Sequence, residues 1–325
     1  MIASAAHERY IRSVSVIWKG GVELLKTVGS GKYTYYIDEN WAQMPPGWTM
    51  SAAAVSGDSQ DRIYAFSRTK HPVMVFDREG IFLRSWGEGL IAMAHAIYVD
   101  LKDNVWLVDR DNGQILKFTP EGELLMTIGT EGYRSSTGVP QDDFTSDAFV
   151  RVTHGGDPFN LPAGVAVGPA GDVFVVDGYA NSRVHHFSSE GELIKSWGEP
   201  GNGPGQFNLP HGVWVDRHDR VLVADRENNR VQVFSRDGEF LSVWPAKLIG
   251  PAVLHVDQED VVYVPEHNGG LFSILTLDGQ RLTRWGSAIN RSCHGVWVDS
   301  HKDIYIVQPG DFGRRRRVVK YHRKG

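Results

Sequence analysis

Apolar and polar residues alternate with a period of two in many short segments of this chain, and this pattern predicts β-strands rather than helices. The clearest segments occupy residues 211–216, 221–226 and 230–234, and a further segment at residues 237–241 begins with an Asp-Gly dipeptide. Asp-Gly and Glu-Gly dipeptides between such segments are typical of hairpin turns. The same succession of strand, turn and strand recurs along most of the sequence.

The recurrence defines six units, which begin near residues 53, 95, 163, 211, 252 and 294, so that successive starts differ by 42, 68, 48, 41 and 42 residues. A unit of about 40 residues with three or four short strands is typical of a propeller blade. We therefore predict an all-β fold, a six-bladed β-propeller that forms a single domain over residues 1–325. Residues 1–48 form an N-terminal extension, in which the strand-like segment 33–38 completes the last blade and closes the ring.

The 68-residue interval contains an insertion at residues 130–160, which is polar and rich in glycine. A loop of this length in a compact domain is usually functional. Two interpretations remain open, a lid over the axial site and a surface excursion.

Composition narrows the classes of function. The formal net charge is −5, so no basic face for nucleic acid is expected, and no apolar run reaches membrane-spanning length. The basic run at residues 314–317 indicates either a solvated turn or a contact with an anionic partner. Cys293 is the only cysteine, which excludes an internal disulfide and favours a reducing compartment. The first residues lack a leader pattern, so we predict a cytoplasmic protein. We also predict a small-molecule anionic partner, for the reason given with the second ring below.

Histidine and alanine alternate at the first position of the six units, which reads Ala53, His95, Ala163, His211, Ala252, His294. In a propeller, equivalent inner-strand positions form a ring around the axis, and alternate blades lie about 120° apart. Three imidazoles that converge with an open fourth position are typical of catalytic zinc, although imidazole also suits iron, manganese and cobalt. The alternative is three inward histidines that are satisfied by water.

A second ring follows 15 residues later and reads Arg68, Arg110, Gly178, Arg226, His267, Pro309. Arginines around an axial cation favour an anionic ligand such as a carboxylate. We predict Arg110 and His267 as substrate-binding residues. The alternatives are structural ion pairs of Arg110 and Arg226 with the preceding aspartates, and a surface pair formed by His267 and Glu266.

Tyr179 follows the second ring by one residue. A tyrosine near a metal and arginines can act as a general base, because nearby positive charge favours the phenolate. Packing is the alternative for this side chain. Cys293, beside His294, is expected to pack in the channel rather than to act as a fourth ligand.

Two stretches carry a family resemblance: Val-Phe-Val-Val-Asp-Gly-Tyr-Ala-Asn-Ser-Arg-Val at residues 173–184 and Val-Ala-Asp-Arg-Glu-Asn-Asn-Arg at residues 223–230. They resemble NHL-repeat proteins and, more narrowly, the peptidyl-α-hydroxyglycine α-amidating lyases. The resemblance implies zinc on His95, His211 and His294, a catalytic tyrosine at Tyr179, and catalytic arginines at Arg68 and Arg226. It also implies cleavage of an N-acyl-α-hydroxyglycine to an amide and glyoxylate.

The chain departs from that family at several positions. Ser292 and Cys293 stand where the family has methionine and proline, and Gly295 replaces an aspartate that helps to hold structural calcium, which argues against that calcium. The disulfide cysteines of the family are absent. Two other functions stay open, a zinc-dependent hydrolase or lyase for another small anionic α-hydroxy or amide substrate and a non-enzymatic binding platform. The ring of histidine and arginine argues against a lactonase, because lactonase propellers typically hold calcium with carboxylates and amides.

Overall fold

The computed structural model describes residues 12–18, 21–286, 293–309 and 316–324, and in it the alternating segments form strands that assemble as six blades around a central channel. This confirms the predicted all-β, six-bladed propeller. Three strands precede the first complete blade: β1 (Arg12–Trp18), β2 (Gly21–Ser30) and β3 (Tyr33–Asp38). Within the described residues, no helix is long and apolar enough to cross a membrane.

Each of the first five blades contains four antiparallel strands, which are consecutive in the sequence and follow one another from the axis outward. Blade 1 comprises β4 (Ala52–Gly57), β5 (Ile63–Ser67), β6 (Val73–Phe76) and β7 (Phe82–Trp86). Blade 2 comprises β8 (Ala94–Val99), β9 (Val105–Asp109), β10 (Gln114–Phe118) and β11 (Leu124–Ile128). Blade 3 comprises β12 (Gly164–Val167), β13 (Val173–Asp177), β14 (Arg183–Phe187) and β15 (Leu193–Trp197).

A two-stranded parallel ribbon, β16 (Glu199–Pro200) and β17 (Gln206–Phe207), connects blades 3 and 4. Blade 4 comprises β18 (Pro210–Val215), β19 (Val221–Asp225), β20 (Arg230–Phe234) and β21 (Phe240–Val243). Blade 5 comprises β22 (His255–Val256), β23 (Val261–Glu266), β24 (Leu271–Thr276) and β25 (Arg281–Gly286).

Blade 6 joins the two ends of the chain. Its inner strands are β26 (Gly295–Val298), β27 (Ile304–Pro309) and β28 (Arg316–Arg323), and β3 pairs with β28 as the fourth strand. This pairing confirms that segment 33–38 closes the ring. The sheet then continues outward through β2 and β1, two strands that the sequence pattern did not predict. Arg78 of blade 1 reinforces the closure, since its guanidinium contacts Asp299 and Asp303 of blade 6.

The core lies between the blades, and the recurring tryptophans show how neighbouring blades fit together. Gly238, in the outer turn of blade 4, has a φ of +79°, and a Cβ added there would lie 2.7 Å from the indole of Trp197 in blade 3. Gly122 and Trp86 repeat this contact between blades 2 and 1. The Asp-Gly and Trp-Gly periodicity of the sequence therefore reflects a turn glycine packed on the tryptophan of the preceding blade.

The insertion at 130–160 connects blades 2 and 3 and contains one short 3₁₀-helix, Ala148–Arg151. Val139 and Ala148 are buried in the same apolar cluster as Tyr179. The insertion therefore packs beside the channel mouth.

Candidate metal centre and active site

Buried carboxylates at the ends of the second strands fix where each inner strand begins. Asp109 accepts hydrogen bonds from the backbone N–H groups of Ala92 (2.8 Å) and Met93 (2.9 Å), just before His95. The same bond recurs in the next three blades: Asp177 with Asn160 N, Asp225 with Asn208 N, and Glu266 with Ile249 N. In each case the carboxylate lies 17 residues after its donor. This repeated clamp holds the ring positions, including His95 and His211, in one layer at the channel mouth.

The three histidines of the ring converge on the axis. Their ring centroids are separated by 5.0 Å (His95 to His211), 5.0 Å (His95 to His294) and 4.7 Å (His211 to His294). All three side chains are buried. Burial lowers the pKa of each imidazole well below its usual value, and neighbouring charges, such as Arg68 at His95 and Arg226 at His211, lower it further. The histidines are therefore neutral at physiological pH.

The backbone carbonyls of the three alanines in the ring fix the tautomer of these histidines. Nδ1 of His95 lies 2.6 Å from the carbonyl oxygen of Ala163, the next ring position. The other two histidines make the same contact in the same direction around the ring: His211 with Ala252 O at 2.8 Å and His294 with Ala53 O at 2.7 Å. A carbonyl oxygen only accepts, so each Nδ1 carries the proton and donates it. Each Nε2 lone pair is then available for a metal.

The donor set fits a divalent transition-metal ion. The ligand nitrogens of the three histidines all lie within 4.8 Å of one another. Neutral imidazoles suit zinc and its first-row neighbours, whereas calcium and magnesium prefer oxygen ligands. The three histidines can therefore form a metal site. At Gly295, where the family's calcium-binding aspartate would stand, an added Cβ would lie 3.0 Å from Cα of Ala54, which leaves little room for a side chain.

Tyr179 lies directly on this centre. Its hydroxyl oxygen is 3.2 Å from Nε2 of His95 and 3.1 Å from Nε2 of His211. Its backbone N–H donates to Leu161 O, two residues before ring position Ala163. Packing and chemistry are both open for this tyrosine from the sequence, and the structure brings its hydroxyl group to the nitrogens that could ligate a metal.

Two of the predicted arginines flank the tyrosine ring. The guanidinium carbons of Arg110 and Arg226 lie 5.3 and 5.8 Å from the centroid of the Tyr179 ring. Neither arginine pairs with the aspartate that precedes it. Arg110 Nε instead donates to Asp111 Oδ1 at 2.7 Å, and Arg226 Nε donates to Glu227 Oε1 at 2.8 Å.

Arg68 is exposed at the same mouth, where its Nε donates to Ala94 O, next to His95. His267 also reaches the centre, with its ring centroid 5.9 Å from that of His294. Burial, and then repulsion by Arg226, lower the pKa of His267 to about 4. The Glu266 carboxylate is engaged in structural contacts, since it accepts hydrogen bonds from Ile249 N, Ser273 Oγ and Arg284 Nε.

Arg316 is a cation of this mouth that the sequence reading missed. It begins β28, opposite Pro309, the member of the second ring in blade 6. Burial, and then repulsion by Arg68, lower the pKa of its guanidinium. Arg316 belongs to the basic run 314–317, of which residues 314 and 315 lie outside the described residues, as does Ser292. The signal that would have found it is the antiparallel pairing that places the start of β28 beside position 309.

The opposite end of the channel has a different character. Below the histidines lies a cavity of about 80 Å³, lined by aliphatic side chains such as Val55, Ile97 and Val213. Tyr98, Trp214 and Trp297 from the three histidine-bearing blades line its far part, and the Tyr98 and Trp214 ring centroids are 5.7 Å apart. The channel is therefore cationic and polar at one end and aromatic at the other. Cys293 is buried, with its pKa raised to about 12 by burial, which disfavours a thiolate ligand in this state.

Comparison with known proteins adds to this picture. The NHL repeat profile matches residues 159–187 and 207–234, which lie in blades 3 and 4. These two stretches match the NHL repeat. The chain is 31% identical to human NHL repeat-containing protein 3 over 226 residues, which cover 66% of the chain and 60% of that protein. It is 35% identical to the peptidyl-α-hydroxyglycine α-amidating lyase 1 of Drosophila melanogaster over 202 residues, or 57% of the chain and 32% of that protein.

The chain thus spans 60% or less of the length of these two relatives. The predicted resemblance to NHL-repeat proteins and amidating lyases is confirmed by these matches. Among solved structures, a streptogramin B lyase superimposes with a TM-score of 0.58 at 12% identity, covering 90% of this chain and 88% of that one. At this identity the similarity shows the fold alone.

Proposed function

We propose that this protein is a zinc-dependent carbon–nitrogen lyase that cleaves an N-acyl-α-hydroxyglycine to an amide and glyoxylate. The observation that carries the proposal is the position of the Tyr179 hydroxyl, at hydrogen-bond distance from Nε2 of both His95 and His211. A tyrosine in this position could exchange a proton with a substrate bound at the three histidines. The similarity to amidating lyases supports the same reaction.

His95, His211 and His294 would hold the metal through Nε2. A divalent cation in this site supplies Lewis acidity, which lowers the pKa of a substrate hydroxyl as it does for water. Because the alanine carbonyls fix Nδ1–H on all three rings, the imidazoles need no tautomer change to bind it. The three imidazoles are themselves shielded from solvent.

Tyr179 acts on the proton. As a phenolate it takes the proton of the substrate hydroxyl, the C–O bond becomes a carbonyl, and the C–N bond breaks with its electron pair on nitrogen. The amide nitrogen then receives a proton, which Tyr179 returns from its oxygen. The reaction balances as R–CO–NH–CH(OH)–COO⁻ giving R–CO–NH₂ and OHC–COO⁻, with no other reactant.

The arginines act on the carboxylate. Arg68 and Arg226 stand on either side of the mouth, and a guanidinium group can bind a carboxylate through two parallel hydrogen bonds. Arg226 is held by Glu227, and the Tyr179 ring lies beneath its guanidinium. A carboxylate bound there would direct the adjacent α-hydroxyl toward Tyr179 and the histidines. Arg110 and His267 complete the substrate-binding surface.

The sole cysteine, Cys293, supports a cytoplasmic setting, since the chain forms no internal disulfide. The partner is a small anionic molecule rather than nucleic acid or membrane. The competing function is a binding platform without chemistry, and the name of the human relative states a repeat and no activity. The platform requires neither bound metal nor turnover.

The deciding experiment is an assay for glyoxylate. Purified protein, loaded with one equivalent of zinc, is incubated with N-benzoyl-α-hydroxyglycine, and glyoxylate is measured against spontaneous decay. We expect enzymatic release that depends on the metal. Stoichiometric zinc without glyoxylate would contradict the lyase and leave another reaction on the same site. Absence of both metal and turnover would favour the binding platform.

A further inference from the structure

The insertion at 130–160 is anchored to the segment that carries Tyr179. Thr137 Oγ1 donates to the carbonyl of Ala180 at 2.6 Å, and Asn160 Nδ2 donates to Thr137 Oγ1 at 2.9 Å. Gly156 N donates to Asn181 Oδ1 at 3.1 Å. Both ends of the loop are therefore tied to residues 180 and 181, directly after the tyrosine.

Within the insertion, Phe144 is held beside the mouth by two arginines. Its carbonyl oxygen accepts a hydrogen bond of 3.1 Å from Arg110 Nη2, and Arg110 itself lies over the Tyr179 ring. The Phe144 ring lies 4.6 Å from the guanidinium carbon of Arg134. Arg134 is buried, and its Nε donates to Asn160 Oδ1 at 2.7 Å. These contacts connect the backbone of Phe144 to Tyr179 through Arg110, and they hold its ring against the buried Arg134.

Phe144 is nevertheless 41% exposed, whereas Val139 and Ala148 of the same loop are buried in the core. An apolar ring that is fixed in position but not buried is available to a ligand, and exposed apolar surface beside a polar cleft is typical of binding sites. The mouth itself offers cations for a carboxylate. Phe144 supplies the apolar surface next to them.

We propose that Phe144 binds the acyl group of the substrate, so that the enzyme prefers aromatic or long aliphatic acyl groups over acetyl. This inference rests on the proposed lyase function. With the carboxylate at Arg68 and Arg226 and the carbinolamide at Tyr179, the acyl group extends past Arg110 to Phe144. Arg110, besides its place on the substrate-binding surface, then joins the acyl-binding loop to the catalytic tyrosine.

The test compares two substrates, N-benzoyl-α-hydroxyglycine and N-acetyl-α-hydroxyglycine, on the zinc-loaded protein. Apolar contacts of this size change kcat/KM by about 10-fold or more. We expect Phe144→Ala to lower kcat/KM about 10-fold for the benzoyl substrate and less than 2-fold for the acetyl substrate. Phe144→Leu should restore most of the preference. Val150, 64% exposed on the same loop, provides the control, and Val150→Ala should change neither value.

Equal losses for both substrates in Phe144→Ala would overturn the proposal, because they would indicate a loop that orders the site and not an acyl contact. An unchanged preference would overturn it as well.

A binding measurement separates this inference from the lyase function. N-benzoylglycine and N-acetylglycine lack the α-hydroxyl group, so their binding, measured by calorimetry, requires no turnover. We expect the benzoyl compound to bind about 10-fold more tightly and Phe144→Ala to remove the difference. If glyoxylate is never formed and this preference is still found, only the reaction is wrong. Equal binding of the two compounds would exclude the acyl site, whatever the outcome of the glyoxylate assay.

Discussion

The hydroxyl of Tyr179 lies 3.1 Å from Nε2 of His211, on the ring nitrogen that is left unprotonated when Nδ1–H bonds Ala252 O. The nitrogen that could ligate a metal is thus also the neighbour of the proposed base. The proposed proton transfer and metal binding would therefore occur within one contact distance. Loss of the hydroxyl should affect the reaction without removing the ligands.

Tyr179→Phe should reduce glyoxylate formation by about 10²- to 10⁴-fold, the usual contribution of a general acid–base group. Its zinc content should equal that of the wild type, because all three histidines remain. Steady-state rates and metal analysis of the same samples test both statements. Tyr98→Phe is the matched control, since Tyr98 lines the opposite end of the channel, and it should retain near wild-type rates. A Tyr179→Phe enzyme of full activity would remove this tyrosine from the mechanism.

His211→Ala should abolish stoichiometric zinc, because a tri-histidine site loses one of its three protein ligands. Bound metal also stabilises the folded state by mass action, so zinc should raise the Tm of the wild type and not that of the variant. His218→Ala serves as control, because His218 is an exposed histidine of the same blade. Metal analysis and thermal unfolding with and without zinc measure both effects. Zinc retained by His211→Ala at wild-type stoichiometry would contradict the site.

Much of the axial centre could be predicted from the sequence, because propeller blades repeat in register. Aligning the units at Ala53, His95 and their equivalents converts distant residues into a ring, and the structure shows that ring. The hydrogen bonds that fix the tautomer of the histidines could not be predicted in the same way. They use backbone carbonyls, which every residue possesses, so the identity of Ala163 or Ala252 carries no signal for them.

Arg316 was missed for a different reason. The repeat assigns the second-ring position of blade 6 to Pro309, a residue without a charge, and the basic run that follows indicates only a turn or a partner contact. In the structure, β28 returns antiparallel to β27, so Arg316 lies opposite Pro309. Cross-strand neighbours of a ring position can therefore supply the missing group. The roles of the site residues remain predictions until they are measured.

Stability should fall as the pH is lowered below neutrality. Burial lowers the pKa of His255 to about 4, whereas an unfolded histidine titrates near 6.5. Between these values the unfolded chain binds a proton at His255 that the folded chain does not. The contribution of neutral His255 to the free energy of unfolding is therefore fully present above about pH 6.5, and it declines as the pH falls toward 4. Urea unfolding of the metal-free protein at pH 7.5, 6.0 and 5.0 measures the decline. His255→Asn should show a shallower dependence than the wild type, and His301→Asn, at an exposed position, should match the wild type.

The contact between blades gives a prediction about the fold itself. Gly238→Ala should destabilise the protein by two effects, because the residue has a φ of +79° and its new methyl group would lie 2.7 Å from the indole of Trp197. The backbone conformation costs about 1–2 kcal/mol for a residue with a Cβ, and overpacking adds about 1–3 kcal/mol. Gly89→Ala isolates the first effect, since Gly89 has a φ of +75° and open space around an added Cβ. The free energy of unfolding, from urea titration, should therefore decrease more for Gly238→Ala than for Gly89→Ala. Equal decreases would show that the tryptophan yields to the methyl group and that the turn conformation alone requires glycine.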